Sequence, residues 1–223
     1  MRVQYKQNHL IVGVGLLLIL SFTQCSPLRI YHSPPYVYTH PSFTAALLRD
    51  SGFILLPVQT DPKLMNIALP RVDLLARLFH ENFPQIPFSV LTENVVNQDS
   101  LIQEAGRELL FHSEADQPRQ PQSFRTVGEY FGIRYFLWIM VKEYYHLIDR
   151  DKRSIFYLTS EGHVWDSQEG REIWHFQGTS KIYLQRFSSE AQNQLVRANY
   201  LEILQHLPNE PVAELLMPKS KKW

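Results

Sequence analysis

The chain has 223 residues with 22 basic and 22 acidic side chains and a 44% hydrophobic share, enough apolar material for one core and no excess charge. Nucleic-acid binding rests largely on phosphate neutralisation, so a neutral chain gives no reason to expect that partner. A single cysteine excludes an internal disulfide and a multi-cysteine metal site.

Residues 1–24 read as a secretory signal peptide. Arg2 and Lys6 form a basic head, and Leu10–Phe22 is an apolar run shorter than the roughly 20 residues of a spanning helix. Gly13 and Gly15 suit a cleaved segment better than a buried helix. Cys25 follows, with no A-x-A pattern before Ser26, so Cys25 is expected to be the lipidated mature amino terminus. Phe22 and Gln24 depart from the leucine and small residue usual at those two places of a lipoprotein cleavage box. An uncleaved anchor with an incidental Cys25 is the alternative. Removing 1–24 leaves 20 basic and 22 acidic side chains. Ser26, where an aspartate commonly retains lipoproteins at the inner membrane, favours the periplasmic face of the outer membrane.

Residues 25–41, with four prolines and no helical or alternating pattern, predict an extended, semi-rigid tether from membrane to domain; their tyrosines and histidines offer a secondary binding strip. A globular domain is expected over 42–208 and a basic tail over 209–223. A short helix over 42–50, closed by Gly52, leads into Phe53–Val58. That continuous apolar run marks a strand buried on both faces, with pairing ended by Pro57. Residues 68–83 read as a helix with Pro70 in its first turn and Val72, Leu75, Leu78 and Phe79 spaced to face a sheet. Phe88–Leu91 is a short strand. Asp99 offers an N-cap to a helix over 100–112 with Leu101, Ile102, Ala105 and Leu109 on its apolar face.

After a polar loop over 113–122, the helix Ser123–Phe131 ends at Gly132, a left-handed cap. Ile133–Tyr145 carries apolar residues on both parities from Tyr135 to Val141, which predicts a central strand. A charged turn at 149–153 precedes strands over 154–165 and 171–184, joined by Ser167–Gly170 with Gly170 at positive φ. Gly162 and Gly178 read as bulges. The helix 188–207 sets Ala191, Leu195, Ala198, Leu201 and Leu204 on one stripe and stops at Pro208. The fold class is therefore α/β (α+β): one mixed sheet of about five strands, parallel early through helical crossovers and an antiparallel meander late, with helices packed on it.

Three stretches in this order resemble a group of bacterial envelope lipoproteins. They are Phe53–Val58 with its proline-bearing end, the helix–Gly–strand step Val127–Val141, and the hairpin Trp165–Trp174 (WDSQEGREIW). The group includes the curli secretion lipoprotein, the lipoprotein activators of penicillin-binding proteins and the flagellar-ring lipoprotein; the amino-terminal domain of the Tol-system propeller protein is similar. The resemblance spans roughly residues 50–207, implies an envelope role, and carries over no catalytic residue.

No nucleophile elbow, phosphate loop or dinucleotide fingerprint occurs, and neighbours along a strand such as Ser160, Glu161 and His163 do not form a nucleophile–base geometry unaided. The expectation is a non-enzyme without a cofactor. His163 and His175, on the two arms of one hairpin, with Glu161 are the candidates for a divalent metal. The expected register, however, sets His163 opposite Trp174, which puts the two imidazoles on opposite faces. Trp138, Tyr144, Trp165 and Trp174 are the candidate partner surface; most strand aromatics serve the core, and any left exposed suit a protein partner. The terminal KSKKW is a solvated basic end that could touch anionic lipid or peptidoglycan. The leading expectation is a lipid-anchored, partner-binding factor of the cell envelope. Alternatives are a small-ligand or metal-binding module and a subunit of an oligomeric secretion complex. Association between copies is left open, and spare membrane-crossing strands for a pore are lacking.

Overall fold

The computed structural model describes residues 29–64, 72–111, 119–150, 153–184 and 188–208. Cys25 with the whole leader, the start of the 68–83 helix, most of the 113–122 loop and the basic tail lie outside these. Eight strands form one mixed sheet: β1 (Ile30–His32), β2 (Tyr36–Thr39), β3 (Phe53–Leu55), β4 (Gln59–Thr60), β5 (Phe88–Val90), β6 (Tyr135–Ile148), β7 (Ser154–Asp166) and β8 (Arg171–Leu184). The order is β1–β8–β7–β6–β3–β5, with β2 also on β8 and β4 also on β6. The described helices are α1 (Ala45–Ser51), α2 (Val72–Asn82), α3 (Glu93–Gln98), α4 (Gln103–Phe111), α5 (Pro121–Phe131) and α6 (Ser189–Gln205). As the crossover argument requires, β3 pairs in parallel with β5 and β6, whereas β6, β7 and β8 form an antiparallel meander.

The strand count exceeds the expected five because the proline-rich stretch is not a free tether throughout. β1 and β2 pair antiparallel with β8, and Pro34 and Pro35 fall between them, where no ladder donor is needed. β4, beyond Pro57, adds two residues to β6. A further short helix, α3, was not expected; the Thr92 hydroxyl caps it by accepting from the Val95 N–H. Residues 100–102 form a turn rather than a first helical turn, so Ile102 is buried while Leu101 points to solvent.

The sheet separates two cores. α2 and α6 cover one face, packing Leu75, Leu78, Phe79, Leu195, Tyr200 and Ile203 against Phe53, Leu137, Ile139, Leu158, Trp174 and Phe176. α3, α4 and α5 cover the other face only over β5, β3 and the first half of β6, where Val96, Leu109, Phe124 and Val127 meet Ile54, Phe136 and Trp138. β6 is accordingly buried on both faces through Ile139 and exposed from Glu143 onward except at the half-buried Tyr144. The buried stripe of α6 is rotated slightly from the expected one: Val196, Asn199 and Tyr200 are buried, and Ala198 and Leu201 lie at its margin. Ser188 caps α6 by accepting from the Ala191 N–H at 3.1 Å.

The Asp166–Gly170 turn is held as its sequence suggests. The buried Asp166 carboxylate accepts from the N–H groups of Gln168 (2.9 Å) and Glu169 (3.1 Å) and from the Arg134 guanidinium, while Gly170 takes φ 67. The bulges, however, are not at the glycines. One extra residue sits at Lys142 in β6 and another at Ile173 in β8. Gly162 instead makes room for α6, since a Cβ there would lie 2.5 Å from Ile203 Cγ2.

Candidate functional site

The turn sets the hairpin register through Asp166↔Arg171 and Trp165↔Glu172. The Ile173 bulge then advances β8 by one residue, giving Val164↔Trp174 and His163↔His175. The expected pairing of His163 with Trp174 is thereby corrected. Side chains alternate at a period of two, so the extra residue moves His175 from the α6 face to the open face, where Glu172 already stands opposite Trp165. Ile173 and Trp174 both enter the α2/α6 core.

A row of directly opposed residues therefore crosses four strands on the open face: Trp138, His163, His175 and Tyr38. The His163 ring stacks on Trp138 (4.8 Å between centroids, 12° between planes) and meets His175 edge-on at 4.7 Å. His163 Nδ1 is 2.5 Å from Glu172 Oε1, and its Nε2 is 3.6 Å from Glu161 Oε2. His175 Nδ1 is 3.7 Å from the same Glu172 oxygen. Burial disfavours charge on His163, but the hydrogen bonds and charges of Glu161 and Glu172 outweigh it and raise the imidazole above its usual range. Burial of Glu172 likewise acts to raise it, and the two histidines overcome this and lower the carboxyl to about 2. Glu161 is lowered chiefly by its hydrogen bond with His163, against burial and with help from Lys142.

The four aromatics expected as one surface are divided by the sheet. Trp138 and Trp165 stand on the His163 face; Trp165 stacks on Phe124 at 4.8 Å, and Trp138 is nearly covered. Tyr144 lies against Phe156 on the α2/α6 side. Trp174 is fully buried there, its indole N–H donating to the His206 carbonyl at 3.2 Å. The exposed aromatics are others. Tyr36 and Tyr38 face outward beside Gln177 and His175, Tyr31 beside Lys181, and Tyr145 stacks on Tyr157 at 4.7 Å. Tyr36, the most open, is 61% exposed. The Tyr36-x-Tyr38 alternation was the available signal for an edge strand.

At the margin under α5, the Arg119 guanidinium lies 4.3 Å over the Trp138 ring, almost wholly buried and with none of its nitrogens hydrogen-bonded. Desolvation lowers its pKa to about 10, against the attraction of Glu108. A separate polar cleft of about 540 Å3 lies at the end of α5, lined by Asp50, Arg125, Glu129, Arg134 and Gln168 among others, away from the histidines. Its Ser167 hydroxyl is spent on the Arg134 carbonyl.

No protein-family model matches the chain, and no curated protein matches it. Among solved structures, the chain is similar to the PelC dodecamer from Paraburkholderia phytofirmans at 10% identity and a TM-score of 0.47, covering 81% of this chain and 99% of that one. It is similar to lipoprotein GNA1162 from Neisseria meningitidis at 18% identity and a TM-score of 0.42, covering 70% and 99%. The LpoB C-terminal domain from Salmonella enterica matches at 14% identity and a TM-score of 0.38, covering 63% and 86%.

Proposed function

We propose that the protein is a lipid-anchored, non-enzymatic factor of the bacterial envelope that docks a protein partner on the uncovered face of its sheet. The observation that carries this reading is that face: Tyr36 and Tyr38 stand exposed beside Gln177 and His175, and Tyr31 and Tyr145 stand exposed farther along it by Lys181 and Tyr157, while the opposite face is closed by α2 and α6. Tyrosine supplies a large amphipathic contact area with few rotatable bonds, the property that binding surfaces exploit. Both signs of charge occur on the face and pair within it, as Lys142 does with Glu161 at 3.6 Å. A self-neutralised face offers anionic lipid or nucleic acid no net field and suits another protein. Cys25, carrying lipid, would hold the domain at the outer membrane, and β1 and β2 would shorten the free tether. No described helix is long and apolar enough to cross a membrane.

The test is photo-crosslinking in intact cells from probes replacing Tyr36, Tyr38 or Tyr145, with Gln194 on α6 as the control position. The expected result is one discrete heterologous adduct from the three face positions and none from Gln194, lost from membranes in Cys25→Ala. Equal adducts from both faces, none from any position, or only a product of twice the chain mass would overturn it. The last outcome would make a second copy the occupant.

A further inference from the structure

We infer that His163, Glu172 and His175 form a binding site for one borderline-soft divalent cation, with zinc the best fit, on the open face of the β7–β8 hairpin. Each offers one ligand atom, and these atoms lie within 4.8 Å of one another. Tetrahedral zinc with ligands at about 2.0–2.2 Å requires ligand atoms about 3.4 Å apart. The present separations bracket that value, with 2.5 Å and 3.7 Å from Glu172 Oε1 to the two Nδ1 atoms. Closing on an ion takes side-chain shifts of about 1 Å from that ideal. The Glu172 and His175 side chains, 33% and 26% exposed, have room to make them.

Three independent features point to a ligand rather than to chance crowding. First, the Ile173 bulge brings His175 to this face beside Glu172; in a strand continuing regularly from the turn, Trp174 would stand opposite His163 and His175 would point at α6. Second, the other ring nitrogen of His163 is directed at Glu161, and a carboxylate on the distal nitrogen is the usual way a metal-binding imidazole is oriented. Third, Trp138 fixes the plane of His163 from the remaining side. Two imidazoles and one carboxylate suit zinc and its neighbours rather than magnesium or calcium, which favour oxygen ligands. Glu172 and His175 are both partly exposed, so water or another molecule's donor can complete the shell. This assignment stands apart from the partner reading, because it concerns the isolated chain.

The test is zinc titration of the full chain, purified in detergent and stripped with chelator, followed by calorimetry. Cobalt, as a paramagnetic probe, is followed by quenching of tryptophan emission, since Trp138 touches a proposed ligand. One zinc per chain is expected. Affinity should fall about 100-fold or more in His175→Ala and Glu172→Gln and about tenfold in Glu161→Gln, and remain unchanged in His80→Ala, whose histidine lies on α2. Cobalt should quench the wild type and not His175→Ala, provided circular dichroism reports an intact variant. No uptake at about 1 mM free zinc, or uptake that survives both ligand substitutions in folded protein, would overturn the assignment. Failure here leaves the crosslinking result untouched, so the two readings fall separately.

Discussion

Gly162 lies where β7 passes beneath α6, and its missing side chain sets how close the helix can come. A Cβ added there would stand 2.5 Å from Ile203 Cγ2 and 3.0 Å from Trp174 Cζ3, well inside normal contact. Ile203 and Trp174 are both fully buried, so neither can yield into solvent. Overpacking of this kind costs about 1–3 kcal/mol, partly offset by about 0.5–1 kcal/mol from replacing glycine in a strand. Gly162→Ala should therefore destabilise by roughly 1–2 kcal/mol. Ile203→Ala alone removes the obstructing methyl and opens a cavity, at about 2–5 kcal/mol. In the double variant the new methyl occupies space that Ile203 has vacated, so Gly162→Ala becomes neutral or slightly stabilising in that background. The cycle should give a favourable coupling of about 1–3 kcal/mol. Urea unfolding reads it, because with a slope of about 1–3 kcal/mol per molar the difference moves the midpoint measurably. Additivity within about 0.5 kcal/mol would mean that α6 does not rest on Gly162, and would refute the packing described for that face.

Two further outcomes follow from buried polar groups. Tyr200 is fully buried, its hydroxyl has no hydrogen-bond partner, and burial raises its pKa. Tyr200→Phe should therefore be neutral or stabilising by up to about 1 kcal/mol at pH 7. Because the folded state holds this proton more tightly than the unfolded chain, the group's contribution is intact below the unfolded value of 10.0 and is lost as pH rises above it. The wild type should then lose about 1.4 kcal/mol per pH unit relative to the variant, and parallel alkaline stability curves would contradict this. Asp166→Ala strips the acceptor from two turn N–H groups and from Arg134, at about 3–5 kcal/mol. Asp166→Asn keeps an oxygen for the turn and should recover about half in a thermal melt, where 1 kcal/mol is roughly 2–4 °C. Equal losses in the two variants would leave the turn bonds without a role.

Much of the architecture is legible because its signals are local. The doubly apolar parity of Tyr135–Val141 marks the central strand, and that stretch is buried on both faces apart from the half-covered Met140. The Asp166–Gly170 turn carries its own acceptor and its own positive-φ glycine. Ser188 and Gly132 mark one helix start and one helix end. The misreadings share a different cause. Within IYHSPPYVYT the Tyr36-x-Tyr38 alternation is too short to commit the stretch to a sheet; β1 and β2 form on the edge of β8. Gly162 and Gly178 resemble bulge residues in isolation, yet a helix and the Phe176 ring, respectively, occupy the space that a side chain would need.

The sequence by itself determined the order of the longer helices and of β3, β5 and the β6–β8 meander, the parallel-then-antiparallel plan, and the register of the hairpin at its turn, since periodicity and turn chemistry act over a few residues. Only the tertiary structure decided which side chains share a face. A single extra residue at Ile173 reverses the facing of every position on one side of it. No residue in REIWHF announces that insertion; it is set by what the neighbouring strand and α6 accept. That reversal buries Trp174 and brings His175 opposite His163, on the face where the turn has already set Glu172, so the candidate site is a product of packing that spacing alone assigned to opposite faces.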